Sequence, residues 1–245
     1  MKIRFFILTL LLVFLSGCAS TQQRTADNQP QLPNHDPFEG FNRAIFGFND
    51  GVDKYFLKPV TKGYKYVTPD FVEDRVSSFF SNLLELGNIF NAILQGKGKD
   101  AAHYSGRFLF NTTFGIAGLF DVANEMGLEK TDGEDFGQTL GAWGVGSGPY
   151  IVLPFLGPST LRDGLGLPVD AYTDPVTHLD HVPTRNALTF TEIVDTRAKL
   201  LSSEELISGD RYVFIRDAYL QRREYLVKDG EVEDTFGIED PKGDF

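Results

Sequence analysis

Asp36-Pro37-Phe38-Glu39-Gly40-Phe41-Asn42-Arg43-Ala44-Ile45-Phe46-Gly47-Phe48-Asn49-Asp50-Gly51-Val52 is the stretch that sets the fold class. Phe38, Phe41, Ile45, Phe48 and Val52 recur every three or four residues, the period of one helix face, while Glu39, Asn42, Arg43, Asn49 and Asp53 fall on other faces. Asp36, Pro37 and Glu39 read as an N-cap, a first-turn proline and a capping-box acid, so the folded domain and its first helix are expected to begin at Asp36.

The same period returns downstream. Thr68-Pro69-Asp70 marks a second helix start, and Val72, Val76, Phe79, Phe80, Leu83, Leu84, Phe90, Ile93 and Leu94 carry the pattern toward Gly96, with Gly87 as a place to bend. A third helix is expected from about Asp100 to Asn111. It hands over to Thr112-Thr113-Phe114-Gly115-Ile116-Ala117-Gly118-Leu119-Phe120, apolar but aperiodic, which reads as an apolar hairpin or a broken helix. Between Phe136 and Asp163, glycines and prolines punctuate short apolar pieces and exclude long regular helix. Helices are expected again after about Pro168, over Thr184 to Leu201 and over Asp210 to Lys228, where Gly230 supplies the cap. Strand alternation is sparse throughout, so the class is mainly α with little or no β.

Toward the amino terminus, Lys2 and Arg4 precede an apolar run from Phe5 to Leu15 that is 11 residues long, the pattern of a secretory signal peptide over residues 1–17. No stretch approaches the roughly 20 apolar residues of a transmembrane helix. Leu15-Ser16-Gly17-Cys18 resembles a bacterial lipobox, which implies a diacylglyceryl thioether on Cys18, cleavage before it and acylation of the new amine. Cys18 is the only cysteine, so there is no disulfide framework. Three acyl chains make a stable anchor where one binds only marginally. Residues 18–35, rich in Gln, Thr, Asn and Pro, read as a flexible tether and residues 231–245 as a solvated acidic tail.

Charge excludes one class of partner. With 23 Lys plus Arg against 34 Asp plus Glu, the net charge is −11, a poor match to a phosphate backbone, and nucleic acid is set aside. Loss of the leader removes Lys2 and Arg4 and makes the chain more acidic still, so membrane contact beyond the acyl chains must come from apolar burial rather than from attraction to anionic headgroups.

The search for catalytic chemistry yields little. His178 and His181, three apart beside Asp174 and Asp180, lack the Glu and the spacing of a zinc protease and lie between Pro175 and Pro183, which suits a polar loop. Ser147 in Gly144-Val145-Gly146-Ser147-Gly148 lacks the flanking glycines of a nucleophile elbow, and the same glycines lack the spacing of a dinucleotide fingerprint. No enzyme, metal or cofactor is expected.

Several ordered blocks carry a resemblance. Asp36 to Arg43, Leu94-Gln95-Gly96, Arg107 to Asp121, Gly148 to Pro154 with Leu161-Arg162-Asp163, and Arg216 to Arg223 together resemble the MlaA family, also called VacJ, over residues 36–230. The resemblance implies an outer-membrane lipoprotein whose amphipathic helices form a ring-like bundle, tethered at the periplasmic face and associated with a trimeric porin. It implies removal of misplaced phospholipids from the outer leaflet and their transfer to the periplasmic carrier MlaC, a retrograde route that maintains lipid asymmetry. The alternative is a porin-associated envelope scaffold without transport.

For such a role Phe38, Phe41, Ile45 and Phe48 either face lipid or belong to an ordinary core. Asn49 would line or gate the passage, although Asp50 stands where a Phe is more usual in the family. Phe114, Gly115, Ile116, Gly118, Leu119 and Phe120 would form a flexible channel wall with the two glycines as hinges, or else a buried corner. Arg107 and Arg162 would guide phosphate through their planar forks, or serve as structural ion-pair partners. Arg216, Arg222 and Arg223 with the acidic tail would help dock the carrier.

Overall fold

A computed structural model describes residues 36–207 and 209–231. The leader, Cys18, its tether and the acidic tail beyond Glu231 lie outside the described residues.

The opening Phe-rich stretch forms α1 (Glu39–Val52), which continues through a π-helical turn (Asp53–Leu57) into α2 (Lys58–Val67). The widened turn ends one residue short of Pro59, whose missing N–H and bulky ring disfavour ordinary α-helical closure. Asp36 is not the cap expected from the sequence. The helix starts at Glu39 without a side-chain cap, and the Asp36 carboxylate instead accepts from Asn42 Nδ2 at 2.7 Å and from the Tyr212 hydroxyl. A tertiary partner from the far end of the chain has displaced the local one.

The second amphipathic run is α3 (Asp70–Leu94), unbroken across Gly87. That glycine makes room for a neighbour: a Cβ there would lie 3.3 Å from Thr173 Oγ1. Next come α4 (Gly98–Thr113), the short α5 (Val122–Glu125) and α6 (Phe136–Ala142). The Gly/Pro-rich region then forms an antiparallel hairpin of β1 (Tyr150–Leu153) and β2 (Gly157–Thr160), in register Tyr150 to Thr160 and Leu153 to Gly157.

Helix resumes at α7 (Leu161–Thr173), earlier than the sequence reading placed it, and Pro168 sits inside the helix rather than before it. The start signal is Thr160, whose hydroxyl accepts from Asp163 N at 3.2 Å. A 3-10 turn (Pro175–His178), α8 (Val182–Lys199), a second 3-10 turn (Ser202–Leu206) and α9 (Arg211–Val227) complete the described chain. Asp210 caps α9 through Tyr212 N at 2.9 Å, and Gly230 follows it in the left-handed region.

The class is mainly α, with one small sheet. Within the described residues the packing contacts close on themselves: α1 meets β1, β2 meets α9, α9 meets α6, α6 meets α3, α3 meets α8, and α8 meets α2. The apolar core is small. Tyr150, Val152 and Tyr212 are buried together against Ile45, Phe46, Val213, Tyr219 and Leu220, with Phe46 edge-on to Tyr212 at 5.5 Å.

Candidate functional site

The side chains are distributed against the habit of a water-soluble domain. Arg107, Asn42, Asn91, Thr61, Thr139 and Thr160 are among the largest fully buried residues, whereas Phe41 is 62% exposed, Phe114 69% and Phe155 74%. Buried polar groups demand partners or water, and large exposed apolar surfaces mark contact with lipid or another protein.

The first helix shows how the inversion is built. Phe38, Phe41 and Phe48 of the predicted stripe are exposed, while Ile45 packs on the core. The buried face is held by two asparagines seven residues apart. Asn42 donates to Tyr150 O at 3.0 Å and accepts from Val152 N at 2.9 Å; Asn49 donates to Leu153 O at 2.9 Å and accepts from Phe155 N at 2.8 Å. Each amide mimics a neighbouring strand, so the pair clasps the open edge of β1 at both ends. Asn49 therefore meets the hairpin backbone. Phe155, at φ 63°, carries its ring 5.2 Å from Phe48 beside the exposed Leu156.

Arg107 lies where α3, α4 and the segment after α5 converge. Its Nε donates to Glu85 at 2.8 Å, Nη2 to Asp121 at 3.0 Å and Nη1 to Leu128 O, so all three nitrogens are engaged. Of the two roles open in the sequence, the geometry gives Arg107 that of ion-pair partner. Burial works against its charge, and the hydrogen bonds to Glu85 and Asp121 outweigh that and hold its pKa above the ordinary value. Asp121 is likewise held below the usual carboxylate range, burial being overcome by Asn111 and Arg107.

This network carries the segment read as a hairpin or broken helix. After Thr113 the chain makes a tight corner in which Ile116 (φ 52°), Ala117 (φ 56°) and Gly118 (φ 89°) are all left-handed. For β-branched Ile116 that conformation is an outlier of the kind proteins retain at functional sites. Gly118 N donates to Asn111 O at 2.8 Å and Phe120 N to Gly115 O at 2.9 Å. A Cβ on Gly115 would fall 2.1 Å from Phe120 O, and one on Gly118 2.6 Å from Asn82 Cβ. The corner exposes Phe114, Ile116 and Leu119, while Phe120 is half-buried under the guanidinium of Arg75, 4.7 Å from its ring centroid.

A second ionic cluster joins α6, α7 and α9. Arg223 bonds Asp163 at 3.0 Å and Asp135, Tyr219 donates to Asp163 at 2.9 Å, and Arg162 pairs with Asp163 at 2.8 Å. Arg162 also lines a cavity of about 290 Å³ with Ser147, Thr160, Leu220 and Arg223. Arg223, expected to help dock a carrier, is thus internal, and Arg216 is paired with Asp217; of the three, Arg222 is the outward one, paired with Asp132 at 3.0 Å. Beside this cluster burial pushes the Asp170 carboxyl up to about 6, helped by the Asp135 charge and opposed by the N–H of Phe136.

A third polar region lies between α2, α3 and α8. Asp195 accepts from Ser77 at 2.8 Å and Lys199 at 2.8 Å. Thr61 Oγ1, the Tyr64 hydroxyl, Glu73 Oε1 and Asn82 Oδ1 are buried without a hydrogen-bond partner among the described residues. Burial raises Tyr64 first, and the nearby Asp195 and Glu73 charges raise it further.

No catalytic constellation emerges from the described residues. His178 Nε2 lies 2.6 Å from Tyr172 O and His181 Nδ1 2.7 Å from Thr184 Oγ1, each in a local contact, and no group of three or more His, Cys, Asp or Glu among the described residues is arranged to hold a metal. Reading the sequence by apolar period placed Asn42 off the apolar stripe and passed over Asn82, Glu85 and Asn91, all of them buried. The available signal was the polar residues' own recurrence along amphipathic helices, as in Asn42 and Asn49.

Comparison with known proteins places these features in context. A family profile described as MlaA lipoprotein matches residues 34–226. The intermembrane phospholipid transport system lipoprotein MlaA of Escherichia coli (strain K12) is 37% identical over 237 residues, 95% of this chain and 92% of its own. The protein of the same description from Haemophilus influenzae is 35% identical over 233 residues, 92% of each chain. A chain solved in work on the structural basis for maintenance of bacterial outer membrane lipid asymmetry superposes with a TM-score of 0.70 at 38% identity, covering 78% of this chain and 98% of that one.

Proposed function

From membership of the chain in the MlaA lipoprotein family, we propose that it is the lipoprotein of an intermembrane phospholipid transport system, taking misplaced phospholipids from the outer leaflet of the outer membrane and delivering them to the periplasmic carrier MlaC. The observation that carries this reading is the inverted side-chain distribution: Asn, Thr and ion-paired Arg inside, Phe41, Phe114 and Ile116 outside. A headgroup crossing hydrocarbon costs at least a few kcal/mol, about 2.5 or more for one charge at mid-bilayer, so lipid movement between leaflets needs a polar route through an apolar setting. No helix among the described residues is long and apolar enough to cross a membrane. The chain would lie in one leaflet, its exposed Phe residues among acyl chains, anchored through acylated Cys18 and seated beside a trimeric porin.

In this scheme Phe38, Phe41 and Phe48 contact lipid and Ile45 braces the helix behind them. The corner bearing Phe114, Ile116, Leu119 and Phe120 forms a channel wall pivoting on Gly115 and Gly118. Asn49 acts on the passage through the hairpin it clasps. Arg162, open to its cavity, guides phosphate, and Arg107 fixes the corner. The protein moves lipid without chemistry on it.

The test is reconstitution of the mature lipoprotein with its porin in vesicles labelled in one leaflet, following labelled phospholipid onto purified soluble carrier. Transfer that requires this protein is the expected result. A carrier that stays empty while porin binding persists would replace transport by the scaffold reading.

A further inference from the structure

Among the described residues every arginine except Arg75 and Arg185 is ion-paired with a carboxylate. Arg75 is occupied by two aromatic rings, Phe71 and Phe120. The Arg185 side chain makes one hydrogen bond among the described residues, Nη1 to Leu179 O at 3.4 Å, at the long limit for such a bond. It is half-buried and carries its charge at the head of a groove of about 510 Å³, lined by Thr177, Arg185, Asn186, Thr189, Phe190 and Ile193.

The lining is ordered along α8. Residues 185, 189 and 193 recur at four, and 186 and 190 form the adjacent row, so the groove follows one face of the helix. Its first turn offers a guanidinium and an amide; Thr177 lies across from them, its hydroxyl donating to Ala171 O and Asp174 O. Its second offers Thr189 and then Phe190, 42% exposed; its third offers Ile193, 46% exposed. Phe56 of the π turn extends the apolar end, 6.3 Å from Phe190 between ring centroids. A cation with donors at one end and exposed apolar side chains at the other matches an amphiphile bearing an anionic head. Guanidinium suits a phosphodiester because its fork presents paired N–H donors. A soluble phosphate would leave Phe190 and Ile193 wet, and a fatty acid would leave the Asn186 amide and Thr189 hydroxyl donors near Arg185 underused.

We propose that this groove is a docking site for a single diacyl phospholipid, its phosphodiester on Arg185 with Asn186 and Thr189, and one acyl chain laid over Phe190 and Ile193 toward Phe56. The proposal rests on the transport reading and adds a place where one lipid pauses. Arg107 does not provide it, since all three of its nitrogens are engaged, and Arg162 stands at a separate cavity.

The experiment uses the full lipidated protein in detergent micelles and a phosphatidylethanolamine carrying a photoactivatable diazirine on one acyl chain, with adducts mapped by mass spectrometry. Adducts are expected on the 189–193 segment, displaced by unlabelled phosphatidylethanolamine but not by inorganic phosphate or oleate. Arg185→Glu should cut their yield about tenfold or more, the loss of one charge-assisted contact, while Arg185→Lys retains most of it. Ile193→Asp, which leaves the arginine in place, should also lower the yield, with the thermal transition of each variant recording that it folds. Unchanged adducts in Arg185→Glu, displacement by phosphate alone, or adducts confined to other segments would overturn the proposal. Transfer to the carrier is followed in parallel. Wild-type transfer with an unlabelled groove removes this site and leaves the transport reading standing; a labelled groove without transfer removes that reading and leaves the site.

Discussion

Arg107 is 1% exposed and Glu85 4%, so the pair is a fully enclosed charge couple rather than a surface bridge. Deleting one member leaves the other's charge buried without compensation, which typically costs about 3–5 kcal/mol. Arg107→Met is therefore expected to destabilise the protein by that order in chemical denaturation, and Glu85→Gln in the same chain should recover part of the loss, because the stranded carboxylate is then neutral. Asp170 makes a prediction of opposite character. Its folded-state pKa of about 6 stands above the unfolded value near 3.9, so between those values the folded state holds more proton than the unfolded one. Its contribution to stability rises as pH falls through 6 and levels off near 4, by about 1–2 kcal/mol once solvent screening of this partly exposed group is allowed for. Below pH 4 the sign reverses, because Asp121, Asp135 and Asp163 are held below the ordinary carboxylate range and lose their ionic partners on protonation. Thermal transitions measured from pH 8 to pH 3.5 should pass through a maximum on the acid side, and Asp170→Asn should flatten the segment between pH 6 and 4 while leaving the acid fall intact.

Among the elements, the hairpin illustrates what side-chain amides add to a sheet too small to stand alone. Two strands of four residues are marginal in isolation. Asn42 and Asn49 supply the missing edge partners, and Asn49 holds Phe155 N, the amide of the residue that turns the tip. Asn49→Ala is expected to accelerate hydrogen exchange at the Phe155 amide and its neighbours in the tip, while the Val152 amide, held by Asn42, stays protected; equal protection in both chains would show that the tip does not need the clasp. This contact also marks where sequence reading stopped. The period of α1, the start of α3 at Asp70, and the extents of α8 and α9 were legible because each is a local property of spacing, caps and breakers. The hairpin was not, since four-residue strands show too little alternation to stand out among glycines and prolines. Helix α7 was hidden by Pro168, read as a boundary although the real signal was the Thr160 cap. Asp36 was misread for the converse reason: its local pattern fits an N-cap, but Tyr212 and Asn42 claim its carboxylate. The exposed Phe residues were identified as a stripe, but periodicity states only that they share a face, not whether that face meets lipid or core.

Taken whole, the described chain buries a set of polar side chains in internal connections and presents many aromatic and aliphatic residues outward, and that distribution governs how it should meet a bilayer. The net charge of −11, more acidic still without the leader's Lys2 and Arg4, means that anionic lipid repels rather than recruits it. An unlipidated chain beginning after Cys18 should therefore float with zwitterionic vesicles through apolar burial alone. Anionic lipid should weaken that binding, and added salt should leave it unchanged or strengthen it by screening the repulsion. Replacing Phe41, Phe114 and Ile116 together by Ser tests the source of the affinity. Full burial of such a side chain is worth about 1.5–3 kcal/mol, and these three are already partly covered, so about 1 kcal/mol each is the share left to the membrane. The triple variant should then lose about 3 kcal/mol, roughly a hundredfold in partitioning, with its thermal transition little changed because none of the three sits in the core. A distribution that follows salt and anionic lipid, or a triple variant that floats as well as the parent, would instead place the contact surface elsewhere on the molecule. In the first case it would lie among the cations, of which Arg222 is the most exposed on α9; in the second, among apolar residues untouched by the substitutions, beginning with Phe155 and Leu156 at the hairpin tip.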